Sequence, residues 1–426
     1  MIKKKILVVS PTPTHPAIAG NRKRIYTMLK ALQGMGCQIT FLLDDQEGSG
    51  GHTSSVTDYD GMRAEWEDFH RVQDYQFPEP QPVPPLLRIM QTGGAFLKRR
   101  AYFLYEYLAP FWMNFRMLIH RETDSGQVLD RRRSSIDSRY NRQLTRVLES
   151  LYESENYDAM LVEYVFMSRA LLGFPGSPGV IDTHDVFSGR TDKLKKRKIK
   201  NTFFDATPQE EGRGLDRADK VIAIQEKESD FFAGITSSEV ITVGHLTPYI
   251  GGNNYRGDGK RILFVGAGNV ENIEGLNYFV ETVFLPLIED GCDFSLDVAG
   301  NVGEYLDFPM KEISCLGEVE DLADAYRPAD LVVSPINAGT GLKIKIIESF
   351  AYGIPVIGTA HSLTGVPEIF SSCYLSVASA SEFQESLKSL LENPGRLRTM
   401  HLSCREAVEE YQSLNLGNLK RIFLDG

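Results

Sequence analysis

The chain has 426 residues, 42% hydrophobic and 24% charged, which is long enough for two or three globular domains with cores of their own. The 57 acidic residues outnumber the 46 basic ones, and the formal net charge of −11 disfavours general nucleic-acid binding, which requires a basic surface. The five cysteines show no CxxC or metal-ligand spacing, so we expect buried free thiols in a reducing compartment. No stretch approaches the roughly 20 apolar residues of a membrane span, and the sequence predicts a cytoplasmic protein.

In the first half of the chain, short apolar runs alternate with segments of helical periodicity. Residues 6–9 and 39–43 are typical of strands that are buried on both faces, and a helix is predicted between them at 21–35. This β-loop-α-β order is typical of a doubly wound parallel sheet. Further strands are predicted at 159–163, 180–182, 220–224 and 240–243, and helices near 141–155 and 226–232.

Two segments interrupt this alternation. Residues 44–85 are rich in Asp, Gly and Pro, and we expect irregular structure there. They include the Asp-x-Asp sequence Asp58-Tyr-Asp60, which we interpret as a solvated loop rather than a metal motif. Residues 96–121 combine aromatic, apolar and basic side chains. We interpret this stretch as helices packed on the first domain, with docking on a membrane as the alternative.

A Gly- and Asn-rich stretch near 246–260 divides the chain. Beyond it, strands are predicted at 261–265, 294–299, 313–316, 331–334 and 355–357, and helices at 273–288, 322–326, 342–351 and from about 381. We therefore predict an α/β protein with two doubly wound, Rossmann-like domains, residues 1–247 and 260–410, and a closing helix at 411–426 that packs back toward the first domain. Ligands of such sheets bind at the carboxyl ends of the strands, so the cleft between the domains is the expected site.

The strongest chemical signal lies in residues 329–359. A buried strand ends in a loop that contains Gly339 and Gly341, and the loop leads into a helix. The glycines let the backbone approach a ligand, and the free N–H groups and dipole of the helix favour an anion such as a diphosphate. Lys343 opposes that dipole in the first turn, which suggests a bound anion that offsets its charge. The carboxylate of Glu348 is suited to accept two hydrogen bonds from a ribose diol.

The residues alone also allow a structural interpretation. Lys345 and Glu348 lie three positions apart, a spacing that suits a surface ion pair. Glycine-rich turns between a strand and a helix are common and often serve only to shape the chain. The spacing therefore leaves open both an anion site and a structural turn.

The second half of the chain resembles the retaining glycosyltransferases of the GT-B fold, in the large family usually called family 4. The resemblance is carried by four stretches, namely Ala351-Tyr-Gly353-Ile-Pro355-Val-Ile357, Val265-Gly266-Ala-Gly268, Asp297-Val-Ala-Gly300 and Gly317-Glu-Val319. It implies a GT-B fold, in which two Rossmann-like domains face each other across a donor and acceptor cleft. The first domain would form the acceptor side, and the second would bind a nucleotide sugar.

The resemblance also implies roles for individual residues of the second domain. Glu348 is expected to hold the donor ribose, and the loop from Gly339 to Lys343 is expected to face the diphosphate. Thr340 and Lys343 of this loop are predicted to take part in catalysis, and residues 317–319 are expected to lie against the base. The other predicted donor-binding residues are Gly266, Gly317, Val319, Gly339, Gly341, Leu342 and Lys345.

In the first domain, the resemblance places Gly20 beneath the donor phosphates. Arg22 and Arg24 follow it on the predicted helix and are candidates to reach an anionic group on the acceptor side. A solvated helix face is the alternative for both arginines, and for Arg24 we favour it slightly.

His184 follows a predicted strand and matches the family's strand-end histidine, which points at the donor sugar. We predict it to be catalytic, with Glu163 and Asp185 as its neighbours on the acceptor side. His245 and His361 are interpreted as structural residues.

One position departs from the family pattern. Many members carry two glutamates eight positions apart, and Thr340 stands where the first of them would be. The sequence around it resembles a variant branch of the family, which keeps activity possible and leaves the donor sugar open. Two alternatives stay open: a sugar-nucleotide-binding protein without turnover, and a GT-B sugar-nucleotide epimerase. A dinucleotide oxidoreductase is disfavoured, because the first strand lacks a G-x-G-x-x-G turn.

The reaction implied by the resemblance moves a sugar from a nucleoside diphosphate sugar to a hydroxyl of a glycan, lipid-linked sugar or protein glycan, with retention of configuration. Helix N-termini and a lysine can stabilise the leaving diphosphate, so we expect neither a metal nor another cofactor. Residues 193–200 hold six cations in eight positions. We favour a solvated helix face for this segment, with peripheral contact at the anionic inner face of a membrane as the alternative.

Overall fold

The structure, a computed structural model, describes residues 3–17, 20–45, 57–76, 136–174, 177–190, 204–252, 260–306, 310–319, 321–338 and 341–425. Gly339, Thr340, the basic segment 193–200 and the aromatic stretch 96–121 lie outside these residues, and what was predicted for them stays a prediction. Within the described part of the chain, no helix is both long enough and apolar enough to cross a membrane.

Parallel strands form the sheet of the first domain. In chain order they are β1 (Lys5–Ser10), β2 (Gln38–Leu43), β3 (Asp68–Arg71), β4 (Ala159–Glu163), β5 (Gly179–Asp182), β6 (Lys220–Ala223) and β7 (Glu239–Thr242). Their spatial order is β3-β2-β1-β4-β5-β6-β7, and every pairing is parallel. The central strands are covered on both faces, which explains why β1 and β4 consist of almost continuous apolar residues.

Helices cover both faces of this sheet. They are α1 (Gly20–Gly34), α2 (Tyr59–Glu65), α3 (Arg142–Ser154), α4 (Pro208–Leu215) and α5 (Glu226–Ala233), with 3-10 segments at Val72–Asp74 and Val165–Gly173. The apolar positions of α1, Ile25, Met28, Leu29 and Leu32, recur at helical spacing and are fully or almost fully buried.

A second parallel sheet follows the division of the chain. Its strands are β8 (Arg261–Val265), β9 (Ser295–Ala299), β10 (Ile313–Gly317), β11 (Leu331–Ser334), β12 (Val356–Thr359) and β13 (Tyr374–Val377), in the order β10-β9-β8-β11-β12-β13. The helices are α6 (Val270–Phe279), α7 (Leu285–Glu289), α8 (Leu322–Tyr326), α9 (Ile344–Ala351) and α10 (Ala380–Leu391), with a π-helical segment at Val280–Phe284 and 3-10 segments at Asn301–Tyr305 and Glu368–Cys373.

One long helix, α11 (Pro394–Phe423), joins the two domains. Near its start, Leu397 belongs to the core of the second domain. Near its end, Leu419 and Ile422 belong to the core of the first domain. The closing helix predicted at 411–426 is therefore the last part of a longer helix.

The prediction of two doubly wound parallel sheets is confirmed. In each sheet the strand order reverses once, between β1 and β4 in the first sheet and between β8 and β11 in the second. The carboxyl ends of these neighbouring strands form a crevice that suits a ligand. In the second domain, the described residues between β11 and α9 border that crevice, as does the turn after β8.

Some local predictions were wrong. Asp58 and Asp60 do not lie in an irregular loop: Asp58 accepts a hydrogen bond from Gly61 N at 2.8 Å and caps α2, and Asp60 pairs with Arg63 at 2.8 Å. The five cysteines are free, but Cys315 is exposed and Cys292 is partly exposed rather than buried.

Candidate active site between the two sheets

The predicted donor loop of the second domain faces the first domain. A side-chain carbon added to Gly341 would lie 3.7 Å from Oδ1 of Asp185, which follows β5. A carbon added to Gly20, at the start of α1, would lie 3.5 Å from Cδ1 of Ile344, at the start of α9. The carboxyl-end loops of the two sheets therefore meet where the sequence analysis placed the diphosphate. Gly341 has a φ of +74°, a backbone conformation that residues other than glycine rarely adopt.

Glu348, on α9, is turned toward the first domain. The residue is 6% exposed, and its Oε1 lies 2.6 Å from Nζ of Lys23, in the first turn of α1. The alternative that Lys345 and Glu348 form a surface ion pair is therefore wrong. Sequence reasoning missed Lys23, although it is the middle residue of the run Arg22-Lys23-Arg24.

His245 lies beside the same carboxylate. It is fully buried just after β7, and its Nε2 is 4.0 Å from Oε1 of Glu348. Burial, together with the charges of Arg24 and Lys23, lowers the pKa of His245 to about 3, so the ring is neutral. The sequence interpretation of His245 as structural gave no indication of this position between the domains.

Lys343 and Lys345 place two amino groups around the loop. Nζ of Lys343 donates to Gly341 O at 3.0 Å. Nζ of Lys345 donates to Val265 O at 2.8 Å and lies at the carboxyl end of β8. Burial and the nearby charge of Lys343 lower the pKa of Lys345 to about 7. Leu342, which precedes Lys343, is buried. An anion in this crevice would favour the charged form of Lys345.

The segments predicted to bind the donor on the side of its base follow β8, β9 and β10, and they lie next to one another along the carboxyl ends of these strands. Gly266 N donates to Ala299 O at 2.9 Å, and Gly300 N donates to Gly317 O at 2.7 Å. A side-chain carbon on Gly300 would lie 2.1 Å from Gly266 O, so these turns require a glycine. Val319, two residues after Gly317, is partly exposed. The structure thus brings Gly266, Gly317 and Val319 to one edge of the sheet.

His184 follows β5 in a strained backbone conformation. Its φ is +62°, its Nε2 lies 2.6 Å from Oε2 of Glu163, and its ring stacks on Tyr164 at a centroid distance of 4.1 Å. Tyr164 itself has a φ of +68°. Burial raises the pKa of Glu163. Left-handed residues other than glycine are uncommon, and they concentrate at functional sites.

Glu163, Asp182 and His184 also form a cluster whose ligand atoms lie within 4.8 Å of one another. Such a group has the composition of a metal site. However, Arg24 makes a bidentate ion pair with Asp182, at 2.8 and 2.7 Å. A guanidinium bound to one of the three candidate ligands repels a second cation, so this geometry disfavours a metal.

The two arginines of α1 donate hydrogen bonds to groups of the first domain. Arg24 is 2% exposed, and besides Asp182 its guanidinium donates to Val243 O at 3.0 Å and Gly244 O at 3.1 Å. Both sequence interpretations of Arg24, an anion contact and a solvated helix face, are therefore wrong. Arg22 is also buried, and its Nη1 donates to His15 O at 3.2 Å. The alternative of a solvated helix face is therefore wrong for Arg22 as well.

A further polar group at the domain contact was missed. Nε2 of Gln225 donates to Oε1 of Glu228 at 2.7 Å, at the start of α5. A side-chain carbon on Gly365 of the second domain would lie 1.7 Å from Oε1 of Gln225. Burial, reinforced by the charge of Asp185, raises the pKa of Glu228 to about 8. A single carboxylate in a helix has no pattern that would reveal this in the sequence.

Comparison with known proteins agrees with this arrangement. Residues 259–393 match the family described as Glycosyl transferases group 1. The whole chain is similar to sucrose-phosphate synthase from Thermosynechococcus elongatus (15% identity, TM-score 0.58, 98% of each chain covered). It is also similar to TarM of S. aureus (10% identity, TM-score 0.62, 100% of this chain and 99% of that one covered). HepE of Anabaena, solved in complex with UDP, matches at 12% identity with a TM-score of 0.57, over 99% of this chain and 98% of that one.

A comparison with curated protein sequences finds no match. At identities this low, the solved structures show the fold alone. The family match extends from β8 to α10 of the second domain and includes Glu348. The predicted resemblance to GT-B glycosyltransferases is thereby confirmed. The chain is a glycosyltransferase of the GT-B fold, and its second domain is a glycosyl transferases group 1 domain.

Proposed function

We propose that the chain transfers a sugar from a nucleoside diphosphate sugar to a hydroxyl of a glycan or lipid-linked acceptor, with retention and without a metal or other cofactor. The observation that carries the proposal is the position of Glu348. Its buried carboxylate faces the first domain at the crevice between the sheets, where a ribose diol of the donor would find two acceptor oxygens.

The groups around the crevice suit a leaving diphosphate. Lys343 and Lys345 flank the start of α9, and Lys23 reaches Glu348 from the opposite domain. Fixed cations and helix N–H groups stabilise charge that develops on a leaving group, which makes a metal unnecessary. Two similar structures support the nucleotide: HepE was solved with UDP, and a mutant of TarM with Fondaparinux, alpha-GlcNAc-glycerol and UDP.

In the proposed reaction, the acceptor hydroxyl attacks the anomeric carbon on the face from which the diphosphate leaves. The bond between that carbon and the diphosphate oxygen breaks, a bond to the acceptor oxygen forms, and the acceptor proton passes to the leaving phosphate. His184 would contact the donor sugar, held in place by Glu163 and the Tyr164 ring.

Replacement of Glu348 by leucine tests the proposal. We expect Glu348→Leu to weaken UDP binding at least about 10-fold, because each hydrogen bond to a charged group contributes about 1.5–3 kcal/mol. Isothermal titration calorimetry with UDP, with GDP as comparison, measures the loss. Glu385→Leu, at an exposed position of α10, is the matched control. An unchanged affinity of Glu348→Leu for every nucleotide that binds the wild type would contradict the proposal.

A sugar-nucleotide-binding protein without turnover is the second candidate, and Thr340 favours it because Thr340 replaces a family glutamate. An epimerase is the third, because some epimerases share the GT-B architecture. Chromatography of products after incubation with UDP-sugars separates the three: glycosylated acceptor, unchanged donor and epimerised donor are distinct outcomes. Peripheral contact between residues 193–200 and an anionic membrane, in a cytoplasmic protein, is a separate proposal that rests on their charge alone.

A further inference from the structure

His245 is a buried imidazole without a hydrogen-bond partner. Its exposed fraction is 0%, and neither Nδ1 nor Nε2 is bonded to any group that the structure describes. A buried polar group left unpaired costs free energy, and most such groups in native proteins have a partner. The ring lies unpaired at the contact between the two domains, so we expect it to gain a hydrogen-bond partner in another state of the site.

The surroundings of His245 identify that partner. Oε1 of Glu348 lies 4.0 Å from Nε2, slightly beyond hydrogen-bond distance. Lys23 holds the same oxygen at 2.6 Å. Burial, together with the positive charges of Arg24 and Lys23, keeps the imidazole neutral, so it carries one N–H that is able to donate.

Binding of a nucleotide sugar changes which groups compete for Oε1 of Glu348. A nucleotide brings a diphosphate, which attracts Lys23, and a ribose diol, which needs a fixed carboxylate. If Lys23 moves toward the phosphates, Glu348 loses its ion pair in a buried setting. A shift of about 1 Å would then bring Nε2 of His245 within hydrogen-bond distance of Oε1.

We propose that His245 is a positioning residue for the donor: its Nε2–H donates to Glu348 when a nucleotide is bound and so fixes the carboxylate that holds the ribose. This inference rests on the proposed function, since it requires Glu348 to bind the nucleotide. His245 itself acts through Glu348 and contacts neither the phosphates nor the sugar.

A double-mutant cycle tests whether His245 acts through Glu348. We expect His245→Phe to weaken UDP binding about tenfold in the wild-type background and less than about twofold in the Glu348→Leu background. His245→Gln retains an N–H donor and should stay within about threefold of the wild type. His70→Phe, in the edge strand β3, is the matched control. Equal effects of His245→Phe in both backgrounds would overturn the inference.

A spectroscopic measurement on the wild type does not depend on the folding of any variant. With ¹⁵N-labelled histidine, the Nε2–H proton of His245 should move downfield when UDP saturates the protein, as a new hydrogen bond forms, and it should not move in Glu348→Leu. If UDP binds and Glu348 is required but this signal does not move, the inference about His245 is wrong while the proposed function stands. If neither UDP nor GDP binds, or if the nucleotide that binds does so independently of Glu348, the proposed function itself fails.

Discussion

Arg24 and Asp182 form a buried ion pair that ties α1 to the end of β5. Both side chains are almost fully buried, at 2% and 0% exposure, and the guanidinium also donates to two backbone oxygens. Burial of charge is costly unless the charges are paired and their remaining hydrogen-bonding groups are satisfied. This condition is met for Arg24, so the pair fixes the strand end from which His184 extends.

Removal of Arg24 should therefore destabilise the protein. We expect Arg24→Met to lower the free energy of unfolding by about 3–5 kcal/mol, because Asp182 is left as an uncompensated buried charge. Urea denaturation followed by circular dichroism measures the change. The control is Lys30→Met, because Lys30 lies on the same helix as Arg24 and its ion pair with Glu65 is more exposed. This substitution should lower the free energy of unfolding by less than about 1 kcal/mol. A loss below about 1 kcal/mol for Arg24→Met would refute this account.

The run Arg22-Lys23-Arg24 shows what the sequence could and could not predict about single residues. Successive residues of a helix point about 100° apart, so three neighbouring cations face three different surroundings. The sequence predicted that this helix start lies at the site, and in the structure Lys23 of that start reaches Glu348. Which of the three cations reaches the second domain depends on how the domains meet, and no local pattern encodes that.

At the scale of elements, the prediction succeeded where the pattern is strong. Strands of the sheet interior, such as β4 and β11, are buried along their whole length, and their apolar runs predicted them closely. Two edge strands, β3 and β13, are only partly buried, and their short mixed sequences were not recognised, whereas the edge strands β7 and β10 were predicted. An edge strand has one paired side and a partly solvated face, so it need not carry the apolar run that marks a central strand.

Helix α11 is the element whose extent the sequence did not show, and its end has a clear energetic role. Phe423 is 3% exposed and belongs to the apolar core beneath the first sheet, although the helix starts in the second domain. We expect Phe423→Ala to reduce stability by about 3–5 kcal/mol, since it removes a buried aromatic ring and leaves a cavity. Thermal unfolding in a scanning calorimeter measures the loss.

The same helix supplies the control for this prediction. Leu414 is 63% exposed on α11, and Leu414→Ala should change stability by less than about 0.5 kcal/mol. Equal effects of the two substitutions would mean that the end of α11 does not contribute to the core of the first domain.

At the scale of the whole molecule, buried ionisable groups give stability two opposing dependences on pH. Burial raises the pKa of Glu163, Glu211 and Glu228 above the value of an unfolded chain, so the folded state holds extra protons and stability falls as pH rises. Burial lowers the pKa of His245 to about 3, so stability rises with pH between that value and about 6.5, where the unfolded histidine titrates. The two contributions oppose each other between about pH 4.5, where an unfolded glutamate titrates, and about pH 6.5.

Glu228 allows the first of these dependences to be isolated. Its pKa is about 8 in the folded protein against about 4.5 when unfolded, so its contribution is complete below the lower value and is lost as pH rises through the higher one. Glu228→Gln keeps the neutral, hydrogen-bonding form at every pH. Its stability relative to the wild type should therefore rise between about pH 5 and pH 9, by on the order of 2 kcal/mol. Urea denaturation at the two pH values measures this difference. The exposed Glu385→Gln should show no such change, and a flat difference for Glu228→Gln would mean that this carboxyl group is ionised at neutral pH and held by partners other than Gln225.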